Sequence, residues 1–181
     1  MNNKFSKVLN LIKSDEIRHQ TEIAISHIPE YFYEVAASSS GKYHPRYALG
    51  AGGLYRHTLA AIKLINDISK LKMMKLSSDD IDYCISAMTL HDSRKLGLDK
   101  SEWTKHEHPM LAVELVYQYC DLAYADKVAP LIASHMGQWT SDSHSEVVLP
   151  EPSTKLQMLV HLCDYLASRK YIEINLDDLI D

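Results

Sequence analysis

The chain has 181 residues, which suits a single domain, and at this length roughly 70% of the surface of the unfolded chain can be buried without disulfides or a structural metal. Apolar residues make up 46% and charged residues 24%, with only six glycines and six prolines, and these values exclude collagen-like and low-complexity architectures. The net charge of -5 argues against a basic surface for nucleic acid, and no stretch has the length and apolarity of a membrane span.

The first half of the chain is predicted to be helical with one long break. Apolar residues at helical spacing predict four helices, over 4–13, 15–27, 30–38 and 54–73. The third would begin behind Pro29, because proline suits the first turn of a helix. Serines, glycines and a proline cluster between residues 38 and 53, which predicts a loop before the fourth helix.

The second half predicts four more helices. They are expected over 77–90, 109–119, 125–136 and 152–170. Ser77 can cap the first, Pro109 can open the second with His108 as its cap, and Gly137 can end the third. Residues 147–149 are the only strand-like fragment, and they are too few to predict a sheet. The sequence therefore predicts an all-α fold in a single domain.

The cysteines and histidines differ in what they indicate. The three cysteines, Cys84, Cys120 and Cys163, are odd in number and lie among apolar residues, which is typical of buried thiols in a reducing compartment. We therefore expect a cytoplasmic protein. Histidine, the commonest metal ligand, occurs ten times, whereas phenylalanine and tryptophan occur twice each.

Six acidic or imidazole side chains lie where apolar helix faces end. These side chains are His57, His91, Asp92, His108, His135 and Asp164. A single histidine on an apolar face is usually a satisfied core residue, but burying all six together without a cation would cost several kcal/mol for each group. A divalent cation removes that cost, and the lack of a cysteine partner argues against a closed structural zinc site. His106 precedes His108 by two residues, about 200° around a helix, so we expect it to point elsewhere.

The order of these residues resembles the HD-domain superfamily of metal-dependent phosphohydrolases. Members carry His…His-Asp…Asp on an all-helical core. Here His57 ends the stretch Gly-Gly-Leu-Tyr-Arg-His, His91 and Asp92 form the central pair, and Asp164 lies in His-Leu-Cys-Asp-Tyr. The resemblance covers residues 54–170.

Among these enzymes, the small bacterial hydrolases of diadenosine tetraphosphate are the most similar. They share His-Asp-x-x-Lys, which ends here at Lys95, and an Asp-Tyr pair followed shortly by arginine, here Arg169. The resemblance implies an HD domain over residues 51–175. Residues 1–50 would form an N-terminal helical extension and loop packed on the core.

The resemblance also implies two divalent cations per chain. One would be held by His57, His91, Asp92 and Asp164, and the other by His108, His135 and a bridging oxygen of Asp92. Two cations about 3.5–4 Å apart share a hydroxide and clamp a phosphate for in-line attack. Nitrogen and oxygen ligands do not distinguish Fe, Mn, Co, Ni and Mg.

Five residues are predicted to contact the substrate: Lys95, Arg169, Lys42, His44 and Trp139. Lys95 lies one turn beyond Asp92 and would act in catalysis with it by neutralising charge on a phosphate, although a solvated lysine has the same pattern. Arg169 is either a phosphate ligand or a cation at a helix C-terminus. Lys42 and His44 lie in the glycine-flanked loop before His57, and Trp139 either stacks on a base or packs internally.

The remaining histidines are assigned smaller roles. His161 lies one turn before Asp164 and is a candidate for orienting a metal ligand. We expect His19, His27 and His144 to lie on the surface.

Together these features predict an enzyme that hydrolyses phosphate ester or phosphoanhydride bonds in a nucleotide or dinucleotide. The acidic charge favours a small phosphorylated substrate over a stable nucleic acid complex. Two alternatives stay open: an HD module that retains metal and binds a nucleotide without turnover, and a single-strand nuclease. The oligomeric state is also open, with a homodimer as one option, and no membrane association is expected.

Overall fold

The computed structural model describes residues 4–180, and the regular structure in this range is helical. Within residues 4–180 seven α-helices follow one another: α1 (Ser6–Leu9), α2 (Asp15–Ser26), α3 (Gly53–Ile68), α4 (Ser78–Leu90), α5 (His108–Tyr119), α6 (Leu122–Ala133) and α7 (Lys155–Ala167). Short 3-10 turns occur at Glu30–Tyr33, Arg46–Ala48 and Lys72–Met74. Within residues 4–180 the only β pairing is an isolated bridge between Asp142 and Ser145, so the all-α prediction is confirmed.

The centre of the bundle is formed by α3, α4, α6 and α7. α3 packs against α4 and α7, α4 also contacts α6 and α7, and α5 lies along α6. Their inward faces bury Leu59, Ile62, Ile85, Met88 and Ile132 completely. Apolar burial of this kind, roughly 1.5–3 kcal/mol for each large side chain, holds these helix ends in fixed positions relative to one another.

Local sequence explains where two of the central helices begin. Ser77 Oγ accepts a hydrogen bond from the Asp80 amide at 3.1 Å, and the Asp80 carboxylate accepts one from the Ser77 amide at 3.0 Å. This capping box starts α4 at the predicted place. Thr154 and Gln157 form the same box for α7, which therefore begins at Lys155 rather than at residue 152.

The predicted helix over 30–38 is wrong. Only Glu30–Tyr33 is helical, as a single 3-10 turn, because Phe32 is buried in the core and the chain then turns back. The Ala37 amide donates to the Ala48 carbonyl at 3.0 Å, and the Leu54 amide donates to the Val35 carbonyl at 2.9 Å. The segment therefore pairs with the loop that leads into α3.

Other helix boundaries also differ from expectation. α3 ends at Ile68 rather than at residue 73, and α6 begins and ends three residues earlier than predicted. α5 begins at His108, so His108 is the first helical residue and Glu107 precedes it as the cap position. Pro109 is then the second residue of the helix, where its missing N–H costs no intrahelical hydrogen bond.

The N-terminal part of the described chain shares the same core. Phe5, Val8 and Ile12 are buried, and the Phe5 ring meets the Tyr55 ring edge-on with centroids 5.2 Å apart. The buried Asp82 of α4 accepts hydrogen bonds from two backbone amides between α1 and α2. Among the described residues, no helix combines the length and apolarity needed to cross a membrane.

Candidate metal centre

Five helices contribute side chains to one buried cluster, which brings together the six residues predicted as metal ligands. The cluster consists of His57 from α3, His91 and Asp92 at the end of α4, His108 at the start of α5, His135 just after α6, and Asp164 from α7. All are almost fully buried except Asp164, whose side chain is 19% exposed. The helix ends therefore meet at a single point in the core.

Asp92 lies at the centre of this cluster. Its Oδ1 atom is 2.9 Å from Nε2 of His108 and 3.8 Å from Nε2 of His135. Its Oδ2 atom faces Nε2 of His91 at 3.3 Å and Nε2 of His57 at 4.0 Å. The two oxygens of one carboxylate thus face different pairs of imidazoles, as a bridging ligand requires.

Asp164 closes one side of the cluster. Its Oδ1 atom lies 2.8 Å from Nε2 of His57 and 3.5 Å from Nε2 of His91. His91 therefore faces both carboxylates. Two groups of potential ligand atoms result, His57 with His91 and Asp164, and His91 with Asp92 and His135, and within each group all atoms lie within 4.8 Å of one another.

Main-chain carbonyls fix the orientation of three of the imidazoles. The Nδ1 atoms of His91, His108 and His135 lie 2.7, 2.6 and 2.7 Å from the carbonyl oxygens of Met88, Lys105 and Ile132. A carbonyl oxygen can only accept, so each Nδ1 carries a proton. In the neutral ring the lone pair is then on Nε2, which points into the cluster. Outer hydrogen bonds of this kind are typical of histidines that bind metals.

The donor set fits divalent cations. Nε2 of His91 and Oδ1 of Asp92 are buried without a hydrogen-bond partner, although groups of this kind are normally paired inside proteins. The Nε2 atoms of His108 and His135 are only 3.2 Å apart. A cation that accepts these lone pairs would satisfy the orphaned atoms and compensate the two carboxylates.

The charges around the cluster shift the pKa of its members in opposite directions. Burial raises the pKa of the Asp92 carboxyl, but Lys95 and His91 outweigh burial and hold this pKa well below its usual range. Burial lowers the pKa of His91, yet Asp92 and Asp164 together raise it to about 10. For His135, burial and the neighbouring His91 and His108 lower the pKa to about 3. Burial raises the pKa of Asp164, but His57 and His91 outweigh it and hold this pKa well below its usual range. Both carboxylates therefore stay ionised, and His135 stays neutral.

Lys95 and His44, two predicted substrate contacts, lie directly against this cluster. Lys95 Nζ is 2.6 Å from Asp92 Oδ2, and the lysine side chain is only 15% exposed. The His44 ring meets the His57 ring edge-on with centroids 5.6 Å apart, and its Nδ1 atom is buried without a partner. Burial, followed by the neighbouring His57, lowers the pKa of His44 to about 4.

The other three predicted substrate contacts lie against the rings of Tyr43 and Tyr165, the second of which follows Asp164 in α7. The Arg169 guanidinium lies 4.2 Å from the centroid of the Tyr165 ring and 5.9 Å from that of Tyr43. Trp139, which is 45% exposed, stacks on the same Tyr165 ring, with ring centroids 5.9 Å apart and 14° between the ring planes. Lys42 is exposed, with its Nζ atom 5.1 Å from the centroid of the Tyr43 ring.

His161 and His106 both bind backbone outside the ligand cluster. The His161 Nδ1 atom donates to the His135 carbonyl at 2.8 Å, which ties α7 to the residue that supplies an imidazole. Nε2 of His106 lies 3.2 Å from the Thr140 carbonyl, so this half-buried ring points away from the cluster, as expected.

The expected surface positions hold for two histidines but not for the third. His19 and His144 are exposed. His27 is half-buried and stacks on the Tyr119 ring, with centroids 3.5 Å apart. Sequence periodicity could not reveal this contact, because it joins the end of α2 to the end of α5.

Sequence reasoning missed a cavity of about 610 Å³ beside His108. Two loops, 101–107 and 142–145, form most of its wall, with Trp103, Lys105 and Asp142 among the lining residues. Both loops are polar and aperiodic, so only the folded chain shows that they face each other.

Comparison with known families agrees with the geometry. The chain matches the HD domain model over residues 54–169, a span that contains all six side chains of the cluster. No match is found among curated proteins or solved structures. Enzymes with this domain are generally metal-dependent phosphohydrolases, and their bundle of helices is the fold described above. The chain therefore belongs to the HD domain family.

Proposed function

We propose that this protein hydrolyses phosphate ester or phosphoanhydride bonds in a nucleotide or dinucleotide and that it uses two divalent cations. The observation that carries the proposal is the convergence of four imidazole Nε2 atoms on the two oxygens of Asp92, with Asp164 beside them. An arrangement that served only stability would not aim the Nε2 lone pairs of the neutral His108 and His135 rings at each other in the core.

The two proposed sites share Asp92. The first would use His57, His91, Asp92 and Asp164, and the second would use His108, His135 and the other oxygen of Asp92. Divalent cations at these sites would supply Lewis acidity, which lowers the pKa of water and polarises a phosphate. The residues around them keep the ligands oriented and exclude bulk water from five of the six side chains.

Cationic and aromatic side chains near the cluster support a nucleotide as the substrate. Lys95 now pairs with Asp92. From this position its ammonium group could instead pair with a substrate phosphate and neutralise its charge. Trp139 and Tyr165 offer a stacked aromatic surface beside Asp164, and bases stack well on such surfaces. The net charge of -5 favours a small substrate over a polymer. Within this class, dinucleoside polyphosphates are the first candidates.

Metal analysis followed by a substrate panel tests the proposal. Purified protein should contain about two transition metals per chain, and with Mn²⁺ it should hydrolyse at least one member of a panel of dinucleoside polyphosphates, (d)NTPs, nucleoside monophosphates and cyclic dinucleotides. Asp92→Ala serves as the inactive control. Nucleotide binding without turnover would favour the non-catalytic module, and cleavage of single-stranded DNA or RNA alone would favour a nuclease. Either outcome would overturn the proposal.

A further inference from the structure

The cavity beside His108 adjoins the candidate metal centre. His108 and the neighbouring His106 form part of its wall, and Met136, next to His135, forms another part. Its volume of about 610 Å³ falls within the range of about 300–1,000 Å³ that is usual for small-molecule sites. A ligand in this cavity would therefore lie next to the second proposed metal site.

Hydrogen bonds hold the cavity walls together. His106 Nε2 donates to the Thr140 carbonyl at 3.2 Å, and Ser145 Oγ donates to Glu107 Oε2 at 3.4 Å, so the two loops are tied across the cavity. The Lys105 amide also donates to the Lys95 carbonyl at 2.9 Å. These bonds connect the cavity wall to the segment that carries the candidate phosphate ligand.

The side chains in the wall suit an uncharged ligand better than an anion. The lining contains one lysine, Lys105, and two carboxylates, Glu107 and Asp142, so by charge count a phosphate bound deep in this cavity would meet no excess of positive charge. Each carboxylate can accept several hydrogen bonds and so keeps capacity for hydroxyl donors. Trp103, which is 64% exposed, offers a flat aromatic face in the same wall. A sugar diol and a planar base match these groups.

We propose that this cavity binds a nucleoside of the substrate. The base stacks on Trp103, the ribose hydroxyls donate to Glu107 or Asp142, and the attached phosphate remains outside, at the metal centre, with Lys105 near the junction. This inference rests on the proposed function, since it assigns the nucleoside of a substrate whose phosphate is hydrolysed at the cluster. It also implies that ligands without a base bind weakly.

Fluorescence tests the site without any need for turnover. The chain has two tryptophans, so in Trp139→Phe the emission comes from Trp103 alone. Adenosine and AMP should quench this emission with saturation, whereas ribose 5-phosphate and inorganic phosphate should leave it unchanged. If only the two phosphates without a base quench, the cavity is an anion site, and if nothing quenches, it is not a ligand site. Either result overturns the inference.

Kinetics then connects the cavity to the reaction. Trp103→Ala should raise KM for the best nucleotide substrate at least tenfold, and should raise KM for p-nitrophenyl phosphate much less, because that ester has no nucleoside. Trp103→Phe should recover most of the loss, since phenylalanine retains a stacking face. Tyr117→Ala, which removes an exposed aromatic side chain of α5, is the matched control and should change neither KM.

Failure of the inference can be told apart from failure of the proposed function. A metal-loaded wild type that hydrolyses no nucleotide would overturn the proposed function and the inference with it. Normal nucleotide turnover with equal KM for the wild type and Trp103→Ala would overturn only the inference. Circular dichroism and thermal melting of Trp103→Ala and Trp103→Phe would identify a folding defect, and the fluorescence titration would then decide alone.

Discussion

The Nε2 atoms of His108 and His135 lie 3.2 Å apart inside the protein, and each ring has its Nδ1 proton committed to a main-chain carbonyl. In the neutral rings two lone pairs therefore face each other. In both rings, and in His91, that carbonyl belongs to the residue three positions earlier. For His91 and His135 a helix end supplies this carbonyl, because the last turn of a helix contains carbonyls without intrahelical partners, whereas Lys105, the partner of His108, lies in the loop before α5. The same local geometry thus presents ligand nitrogens from several different helices.

Exchanging His108 for alanine should remove most activity and the second metal. We expect a loss of more than about 100-fold in kcat/KM, which exceeds the range for residues that act only through a ligand. The metal-free fold should survive, because the change also removes the contact between two lone pairs. Activity assays, elemental analysis and thermal melting measure these three effects.

His106→Ala is the matched control for His108→Ala. Its ring binds the Thr140 carbonyl rather than the cluster, so metal content should stay at the wild-type value. Asp92→Ala should be more severe than His108→Ala, because it removes the one carboxylate that faces both imidazole pairs and leaves two cations to repel each other. Metal loss in His106→Ala with full occupancy in His108→Ala would show that the assignment of the second site is wrong.

His161 should affect the metal centre through His135 alone. It donates to the His135 carbonyl, and a Cβ atom on Gly137 would lie 2.1 Å from Cε1 of the His161 ring. His161→Ala and Gly137→Ala should each weaken metal binding by about 10- to 100-fold, mainly at the site that uses His135. Competition with a chelator gives the affinities, and the exposed His19→Ala is the control. Unchanged affinity in both variants would mean that the carbonyl contact does not position His135.

The candidate metal cluster could be predicted from the sequence because each member continues an apolar helix face. Ile81, Cys84 and Met88 predict which side of α4 is buried, and His91 and Asp92 follow on that side. Periodicity of this kind depends only on local helical geometry. The capping residue Ser77 strengthened the prediction, since it limited where α4 could begin, whereas Gly137 was wrongly expected to end α6, which already ends at Ala133.

The features that the sequence did not predict depend on contacts between distant segments of the chain. Residues 30–38 have a helical pattern, but Phe32 enters the core and Ala37 bonds to Ala48, so tertiary contacts outweigh local propensity there. The position of Arg169 between two tyrosine rings likewise joins α7 to a loop more than 100 residues earlier. The cavity beside His108 arises from two loops without periodicity. No local signal predicts pairings of this kind.

Metal binding should release about one proton per chain at neutral pH. In the metal-free protein, burial lowers the pKa of His91, but Asp92 and Asp164 outweigh it and raise the pKa to about 10, so the ring is protonated at pH 7. A cation must displace the Nε2 proton, and apparent affinity should therefore rise with pH up to about 10. Calorimetric titration of Mn²⁺ in buffers with different ionisation enthalpies measures the release. Zero release at pH 7 would contradict the assignment of His91 as a ligand.

The same pKa shift predicts how metal-free stability depends on pH. The folded-state pKa of His91 lies above the unfolded value of about 6.5, so its contribution is fully present below that value and decreases as pH rises through about 10. His135 acts in the opposite sense, since burial lowers its pKa to about 3, and its contribution is lost as pH falls below about 6.5. Stability should therefore decline on both sides of neutrality, and chemical unfolding of the metal-free protein across the pH range measures it. A His91→Ala variant should lose the decline on the alkaline side.

Lys95 is expected to act on the reaction rather than on metal retention. Its Nζ atom binds Asp92 Oδ2 at 2.6 Å, but in the metal-bound protein a cation would compensate that carboxylate, which leaves the ammonium group to bind phosphate. Lys95→Met should therefore lower kcat by about 10²–10³, the usual effect of removing one charge-stabilising donor, while the metal content per chain stays unchanged. Lys100→Met is the matched control, because that lysine is exposed and pairs only loosely with Glu34 at 3.5 Å, and it should retain wild-type kcat.

In the metal-free state Lys95→Met should also lower the melting temperature, since Asp92 loses its neutralising partner, and added Mn²⁺ should restore it. A variant that loses metal in proportion to activity would show that Lys95 supports the ligands and not the phosphate.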